Sequence, residues 1–196
     1  GPGLKGLMDK VLTDARWDLK FIGMQVIIEG LALAAFNTAM QTSNVPVHQQ
    51  GLYYVLRDEA RHVKFGMQYL EDYLKRLSPE ELEERAQFAF EASTSMGGSR
   101  ANGTRMFERY GWDHDEVREH LRNNSPDSLN FRGQLFGRIM PNLKSLGLLT
   151  NKTKPQWEAL GLLEFQDLPS DSQINWSEME RPLPTYEEIY ETNLAA

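Results

Sequence analysis

The chain has 196 residues, of which 40% are hydrophobic, so it can form one domain, or one domain with an appendage, around a real core. Its formal net charge is −7, from 21 Lys and Arg against 28 Asp and Glu, and this acidic balance argues against a nucleic-acid binder. The absence of cysteine excludes disulfides, thiolate metal sites and cysteine nucleophiles, and it fits a cytoplasmic location.

Two long helices are predicted at the start of the chain. The first runs from about residue 4 to residue 41, because apolar residues recur at steps of three, four or six until a polar cluster precedes Pro46. Gln25 and Glu29 interrupt its longest apolar run, so we expect no membrane span. The second helix covers about residues 47–76, where apolar positions recur at three and four.

A third helix begins with a clear capping pattern. In the stretch Ser78-Pro79-Glu80-Glu81, serine suits the N-cap, proline the first helical position, and the acids the first turn. We expect this helix to end near residue 95 and to resume over residues 99–110. Residues 113–122 and 129–146 are predicted to form two shorter helices.

The end of the chain lacks this regularity. From residue 151 onward, prolines interrupt the pattern, and we expect an extended segment that wraps a surface, with a short helix near residues 185–192. No stretch shows the sustained alternation of a strand. The predicted class is therefore all-α, with a helical domain over residues 3–150 and a loop-rich extension over residues 151–196.

A carboxylate stands in the middle of the first apolar helix. Burying Glu29 without a partner would cost several kcal/mol or keep the group protonated. Thirty residues later comes the stretch Asp58-Glu59-Ala60-Arg61-His62, in which Glu59 and His62 are three apart and so point the same way from one helix. One Glu from one helix and a Glu-x-x-His pair from its neighbour make half of a dinuclear carboxylate metal site.

Each residue of this motif has a predicted task. Glu59 can bridge two metal ions, and His62 can bind one of them as a terminal ligand. Asp58 can accept a hydrogen bond from a ligating imidazole, and Arg61 can pair with a carboxylate. The competing interpretation is an ion pair, in which Arg61 or a lysine neutralises Glu29 and no metal is bound.

The two stretches together resemble a known superfamily. Ile27-Ile28-Glu29-Gly30, followed by the nine residues from Asp58 to Gly66, is similar to the second half of ferritin-like dimetal oxidases and oxygenases. That group includes the radical-generating subunit of ribonucleotide reductase, related ligand-binding oxidases, and arylamine N-oxygenases. The resemblance covers about residues 15–76, and it implies half of a ferritin-like four-helix dimetal bundle.

The resemblance also implies roles for individual residues. Glu29, Glu59 and His62 would bind metal, and Asp58 would orient a histidine from the opposite half of the bundle. Arylamine N-oxygenases carry an additional histidine where this chain has Val55, which argues against that type. The implied activity is O₂ activation by two iron ions, an iron–manganese pair or two manganese ions, with an organic small molecule as substrate.

The other half of such a site is not found before Glu29. Three sources remain open for it: a missing N-terminal half of the same polypeptide, a partner subunit, or a second copy in a symmetric homodimer. Glu91, in an apolar part of the third helix, is a further candidate ligand. Two other functions remain open, namely a ferroxidase or iron-storage protein with its site at a subunit interface, and a non-catalytic helical partner subunit with a vestigial motif.

Overall fold

A computed structural model describes residues 2–97, 107, 109–113, 115–117, 119–120 and 131–173. These residues contain helices and no strand, which confirms the predicted all-α class. The elements with defined bounds are, in chain order, α1 (Pro2–Thr13), α2 (Trp17–Phe21), a π-helical segment (Ile22–Ile28), α3 (Glu29–Thr42), α4 (Pro46–Leu74), α5 (Pro79–Gly97), α6 (Phe131–Ser145), α7 (Lys154–Ala159), and two 3-10 turns (Leu163–Phe165 and Asp171–Gln173).

The prediction of one continuous first helix is wrong, because a break over residues 14–16 separates α1 from α2. The carboxylate of Asp14 accepts hydrogen bonds from the backbone N–H of Arg16, at 2.9 Å, and from the Arg16 guanidinium. Such a local side-chain turn satisfies backbone groups outside a helix and so competes with helix continuation. After it, the chain runs from Trp17 to Thr42 as α2, the π segment and α3 without interruption.

The next boundaries agree with the sequence. Helix α4 covers the predicted second helix, and α5 begins directly after Ser78. The Ser78 hydroxyl accepts from the Glu81 N–H at 3.2 Å, while the Glu81 carboxylate accepts from the Ser78 N–H at 2.8 Å, which is a reciprocal capping box. Helix α6 lies within the predicted residues 129–146. Most of the predicted helix over residues 99–110, and all of the one near residues 185–192, lie outside the described residues. Of the predicted helix over residues 113–122, residues 115–117 and 119–120 are described, and they are helical.

The chain after residue 151 is more ordered than predicted. Instead of an extended start it forms α7, because Pro155 occupies the first turn of a helix, where the missing N–H costs nothing. Trp157 of α7 is fully buried, and its ring packs edge-on against Phe90 of α5 at 4.8 Å between centroids. Trp157 therefore attaches α7 to the core, while most of the other residues of this helix are exposed.

Helices α3 and α4 pack along each other, with the π segment continuing the contact. The Trp17 ring lies 4.6 Å from that of Tyr73, and the Phe21 ring lies 6.4 Å from that of Phe65, between centroids. Helices α1, α5 and α6 contact the π segment or α3 and enclose the core. The largest side chains with almost no exposure are those of Trp157, Ile22, Ile27, Leu33, Met67, Leu70, Ile139, Met140, Leu143, Leu148 and Leu162.

The segment Trp17–Thr42 is apolar as well as long. Its 26 residues include a window of mean hydropathy 1.7, so by length and composition alone it could cross a membrane, a test that buried core helices also pass. Inside the fold, 44% of that window is buried. The expectation that the chain has no membrane span therefore stays a prediction.

Candidate metal centre

Three predicted ligands converge between α3 and α4. One ligand atom from each of Glu29, Glu59 and His62 lies within 4.8 Å of the others. Glu29 is the first residue of α3, and the other two are one turn apart on α4, where Nδ1 of His62 lies 3.5 Å from Oε2 of Glu59. The predicted convergence is confirmed. Metal ligands bind at about 2.0–2.2 Å, so small side-chain rotations would bring all three donors onto one ion.

The environment of Glu29 bears most directly on whether the cluster could hold a cation. Its Oε2 atom is buried and has no hydrogen-bond partner, and its Oε1 atom accepts a long 3.4 Å hydrogen bond from Gln25. Burial raises the pKa of Glu29 to about 7, and the neighbouring Glu59 carboxylate adds to this shift, whereas His62 and Gln25 oppose it. An orphaned buried oxygen beside a second carboxylate and an imidazole fits a divalent metal ion.

The competing ion-pair interpretation finds little support at Glu29. Among the described residues, the groups that perturb its pKa are Glu59, His62 and Gln25, and none is an arginine or a lysine. The guanidinium of Arg61 instead donates to Asp58 at 3.5 Å. Among the described groups that act on Glu29, neutralisation of its carboxylate is therefore left to a proton, to the protonated form of His62 or to a metal ion.

The cluster opens onto one uncovered face of α4. The side chain of His62 is 62% exposed, whereas that of Glu59 is 27% exposed. His62 shares a stripe at steps of three and four with other exposed residues, and we call this stripe the open face. The open face consists of Val55, Asp58, His62, Phe65 and Tyr69. The described part of the chain after α4 does not cover these residues. That another copy, subunit or segment packs on this face stays a prediction.

Asp58 lies on this open face beside His62. Its side chain is 60% exposed, and its carboxylate lies 3.9 Å from Nε of Arg57 and 3.5 Å from the guanidinium of Arg61. The carboxylate is thus available to a group that approaches the face from outside. Its predicted task, orienting a histidine from an opposite half, stays a prediction.

The structure does not bring Glu91 to the cluster. Its side chain is 55% exposed on α5 and accepts from Lys10 at 3.5 Å and from Gln87 at 3.2 Å. The apolar neighbours of Glu91 in the sequence, Phe88 and Ala92, face the core, while Glu91 itself points toward α1 and solvent. It is therefore not a ligand in this fold.

Two residues near the site were not predicted from the sequence. Gln25 stands one turn before Glu29 and hydrogen-bonds to it, and it belongs to the π segment. Gly66 stands one turn after His62, and a Cβ there would lie only 2.4 Å from Cβ of Gln25. Each stands four residues from a predicted ligand, and this helical spacing could have placed both beside the site.

No family model matches the chain, and no curated protein or solved structure shows significant similarity to it. The assignment of a metal centre therefore depends on the motif and on the geometry around Glu29. Both concern the same three side chains.

Proposed function

We propose that this chain supplies half of a dimetal-carboxylate centre of the ferritin-like type, which activates O₂ toward an organic small molecule. The observation that carries the proposal is the buried, unpartnered oxygen of Glu29 within ligand distance of Glu59 and His62. A pure core residue at that position would be apolar or fully hydrogen-bonded. Burial of this carboxylate lowers the stability of the metal-free fold, and a bound metal ion would offset that loss.

The donor set limits the identity of the metal. Carboxylate oxygens and one imidazole nitrogen suit iron and manganese, so two iron ions, an iron–manganese pair and two manganese ions all fit. Glu59 would bridge the ions, His62 would be a terminal ligand, and Glu29 would complete the set on this side. When bound in its reduced form, the metal pair would supply two electrons to O₂.

Three side chains cannot fill the coordination of two metal ions, so the proposed centre needs a second ligand-bearing surface. The open face of α4 is suited to receive it, because Val55, Phe65 and Tyr69 are 39%, 52% and 57% exposed, respectively. A packed helix pair would bury this apolar area and shield the ions from water. A second copy of the chain, a partner subunit or another part of the same polypeptide could provide the pair.

Glu29 makes metal uptake dependent on pH. Because burial and Glu59 raise its pKa to about 7, the carboxyl group holds a proton in the metal-free protein below that pH. A metal ion must displace this proton before it can bind Glu29. We therefore expect metal affinity to rise with pH through about 7, with release of a proton on binding.

The direct test is metal stoichiometry. The chain is loaded anaerobically with Fe²⁺ or Mn²⁺, the bound metal is counted per chain, and anomalous diffraction at the iron and manganese edges locates each ion. One ion per chain at Glu29, Glu59 and His62 supports a symmetric dimer, and two per chain support a partner half. No binding by the chain at any pH from 6 to 8, alone or in its native assembly, would contradict the proposal and favour a vestigial motif.

A pair of variants makes this test specific. Glu59→Ala is expected to lose at least one metal ion, whereas Glu71→Ala is expected to keep all of them. Glu71 lies on the same helix but hydrogen-bonds to Ser145, away from the cluster. Oxidation of excess Fe²⁺ into a stored mineral, without consumption of an organic substrate, would instead support the ferroxidase function.

A further inference from the structure

The side chain that contacts Glu29 comes from the π segment. Gln25 is half-buried, and its amide Nε2 donates to Oε1 of Glu29 at 3.4 Å. This distance is long for an N–H···O hydrogen bond, whose usual range is about 2.7–3.2 Å. The contact therefore gives Oε1 one weak hydrogen bond, and Oε2 has no hydrogen-bond partner.

Gly66 creates the space that Gln25 occupies. A Cβ built on Gly66 would lie 2.4 Å from Cβ and 2.7 Å from Cγ of Gln25, closer than real side chains approach. The glutamine side chain thus lies against the bare backbone of α4, one turn from His62. With its first two carbons packed on this backbone, the glutamine amide reaches Oε1 of Glu29 in the cluster.

We propose that Gln25 is a positioning residue of the metal centre: its amide holds one oxygen of Glu29, so that the other oxygen is presented to the ion between α3 and α4. This inference rests on the proposed function, since it assigns a task toward the same ion. It concerns a residue that the motif does not include and that does not itself bind metal.

The chemistry of glutamine suits this task. A lysine or arginine at position 25 would also donate to Glu29, but its charge would neutralise the carboxylate and repel the metal ion. The neutral amide orients the carboxylate and leaves its charge for the ion. The π segment adds a second indication, because local π-helical turns are rare in proteins and are frequent at functional sites.

The test compares two glutamine variants by titration with Co²⁺, whose visible absorption reports the geometry of its ligands. Gln25→Met has nearly the same length but no N–H donor, whereas Gln68→Met makes the same change on the exposed side of α4. We expect Gln25→Met to weaken Co²⁺ binding by about 10–100-fold and to change the absorption bands, as loss of an orienting partner does at other metal sites. Gln68→Met should match the wild-type protein in both respects.

Thermal melts without metal separate positioning from folding. Since the hydrogen bond that Gln25 makes within the described residues is long, Gln25→Met should melt within a few degrees of the wild-type protein. If Gln25→Met does not fold, Gln25→Asn replaces it in the titration, because it keeps the amide but is one carbon too short to reach Glu29. Unchanged affinity and unchanged bands in the folded variant would overturn the inference and leave the proposed function intact. Absence of Co²⁺ binding by the wild-type protein would overturn both.

Discussion

Buried carboxylates differ in their hydrogen bonding between two sides of the molecule, the side covered by α5 and α6 and the side of the open face. On the side covered by α5, Asp18 is 1% exposed and accepts from Arg85 at 2.7 Å. The carboxylate of Asp171, in the last 3-10 turn, accepts from the buried side-chain amide of Asn142 in α6, also at 2.7 Å. On the side of the open face, Glu29 has a buried oxygen with no partner. Among these three described acids, Asp18 and Asp171 are thus hydrogen-bonded, and Glu29 is the one with an unpartnered oxygen.

The apolar surface shows the same contrast. The covered side buries Trp157 completely between α5 and α6, while the open face leaves Phe65 and Tyr69 more than half exposed. The two sides thus differ in burial: one packs large side chains in the core, and the other exposes them. In the proposed function, the exposed side is where a second ligand-bearing surface would bind. Substitutions on the two sides should therefore have opposite balances of stability and metal affinity.

The largest expected effect is on the covered side. Arg85→Met leaves the carboxylate of Asp18 buried without its partner, and we expect it to lower the free energy of unfolding by about 3–5 kcal/mol. Urea denaturation measures this loss. The matched control is Lys10→Met, which breaks the exposed pair with Glu91 and should cost less than about 1 kcal/mol. Equal losses in the two variants would show that the buried pair is not special.

The second effect concerns stability at the contact between α4 and the π segment. Gly66→Ala places a methyl group 2.4 Å from Cβ of Gln25, so we expect a loss of about 1–3 kcal/mol through overpacking. Gly51→Ala on the same helix meets nothing within 4 Å and should instead be stabilising by about 0.5–1 kcal/mol, because alanine favours the helix. Both values come from chemical denaturation. Stabilisation by Gly66→Ala would contradict the close approach of the π segment to α4.

The third effect depends on pH. The pKa of Glu29 is raised from its ordinary value of 4.5 to about 7, so between these pH values the folded protein holds a proton that the unfolded chain has released. The metal-free protein is then expected to lose stability as pH rises from about 4.5 to about 7, by about 1–2 kcal/mol after allowance for partial exposure. Glu29→Gln should remove this component from melts at pH 5 and pH 8. An identical pH dependence in both proteins would refute it.

The smallest effect on stability is expected on the open face. Asp58→Asn is nearly isosteric at a side chain that is 60% exposed, so stability should change by no more than about 0.5 kcal/mol. Metal affinity of the completed centre should still fall by about 10–100-fold, because an acceptor that orients a ligating histidine is lost. The control is Asp72→Asn, which also stands three residues before a basic partner, Lys75. Equal metal uptake by both variants would show that Asp58 is only a surface acid.

Part of this structure followed directly from the sequence. The bounds of α4 and the start of α5 were predictable because proline, serine and glutamate act within one turn of the chain. The convergence of Glu59 and His62 was predictable too, since residues three apart on a helix point the same way.

The remaining features depend on contacts that periodicity does not encode. Asp14 ends α1 through a side-chain hydrogen bond to Arg16, and Pro155 begins a helix instead of ending one. Apolar neighbours placed Glu91 on a core helix but did not determine which way it faces. The apolar run over Ile22–Ile28 suits an α-helix as well as a π-helix, so its hydrogen-bond pattern had no signature in the sequence.

The π segment has a consequence for the phase of its helix. In an uninterrupted α-helix, residues spaced by four drift around the axis by about 40° at each step, so Glu29 would face about 120° away from Trp17. A π turn contains more residues, and over Ile22–Ile28 it reverses this drift. Trp17, Phe21, Gln25 and Glu29 therefore form a straight row along α4. Deleting a single residue within the segment would rotate Glu29 out of that row. The number of residues in the segment therefore determines whether the Glu29 carboxylate faces α4.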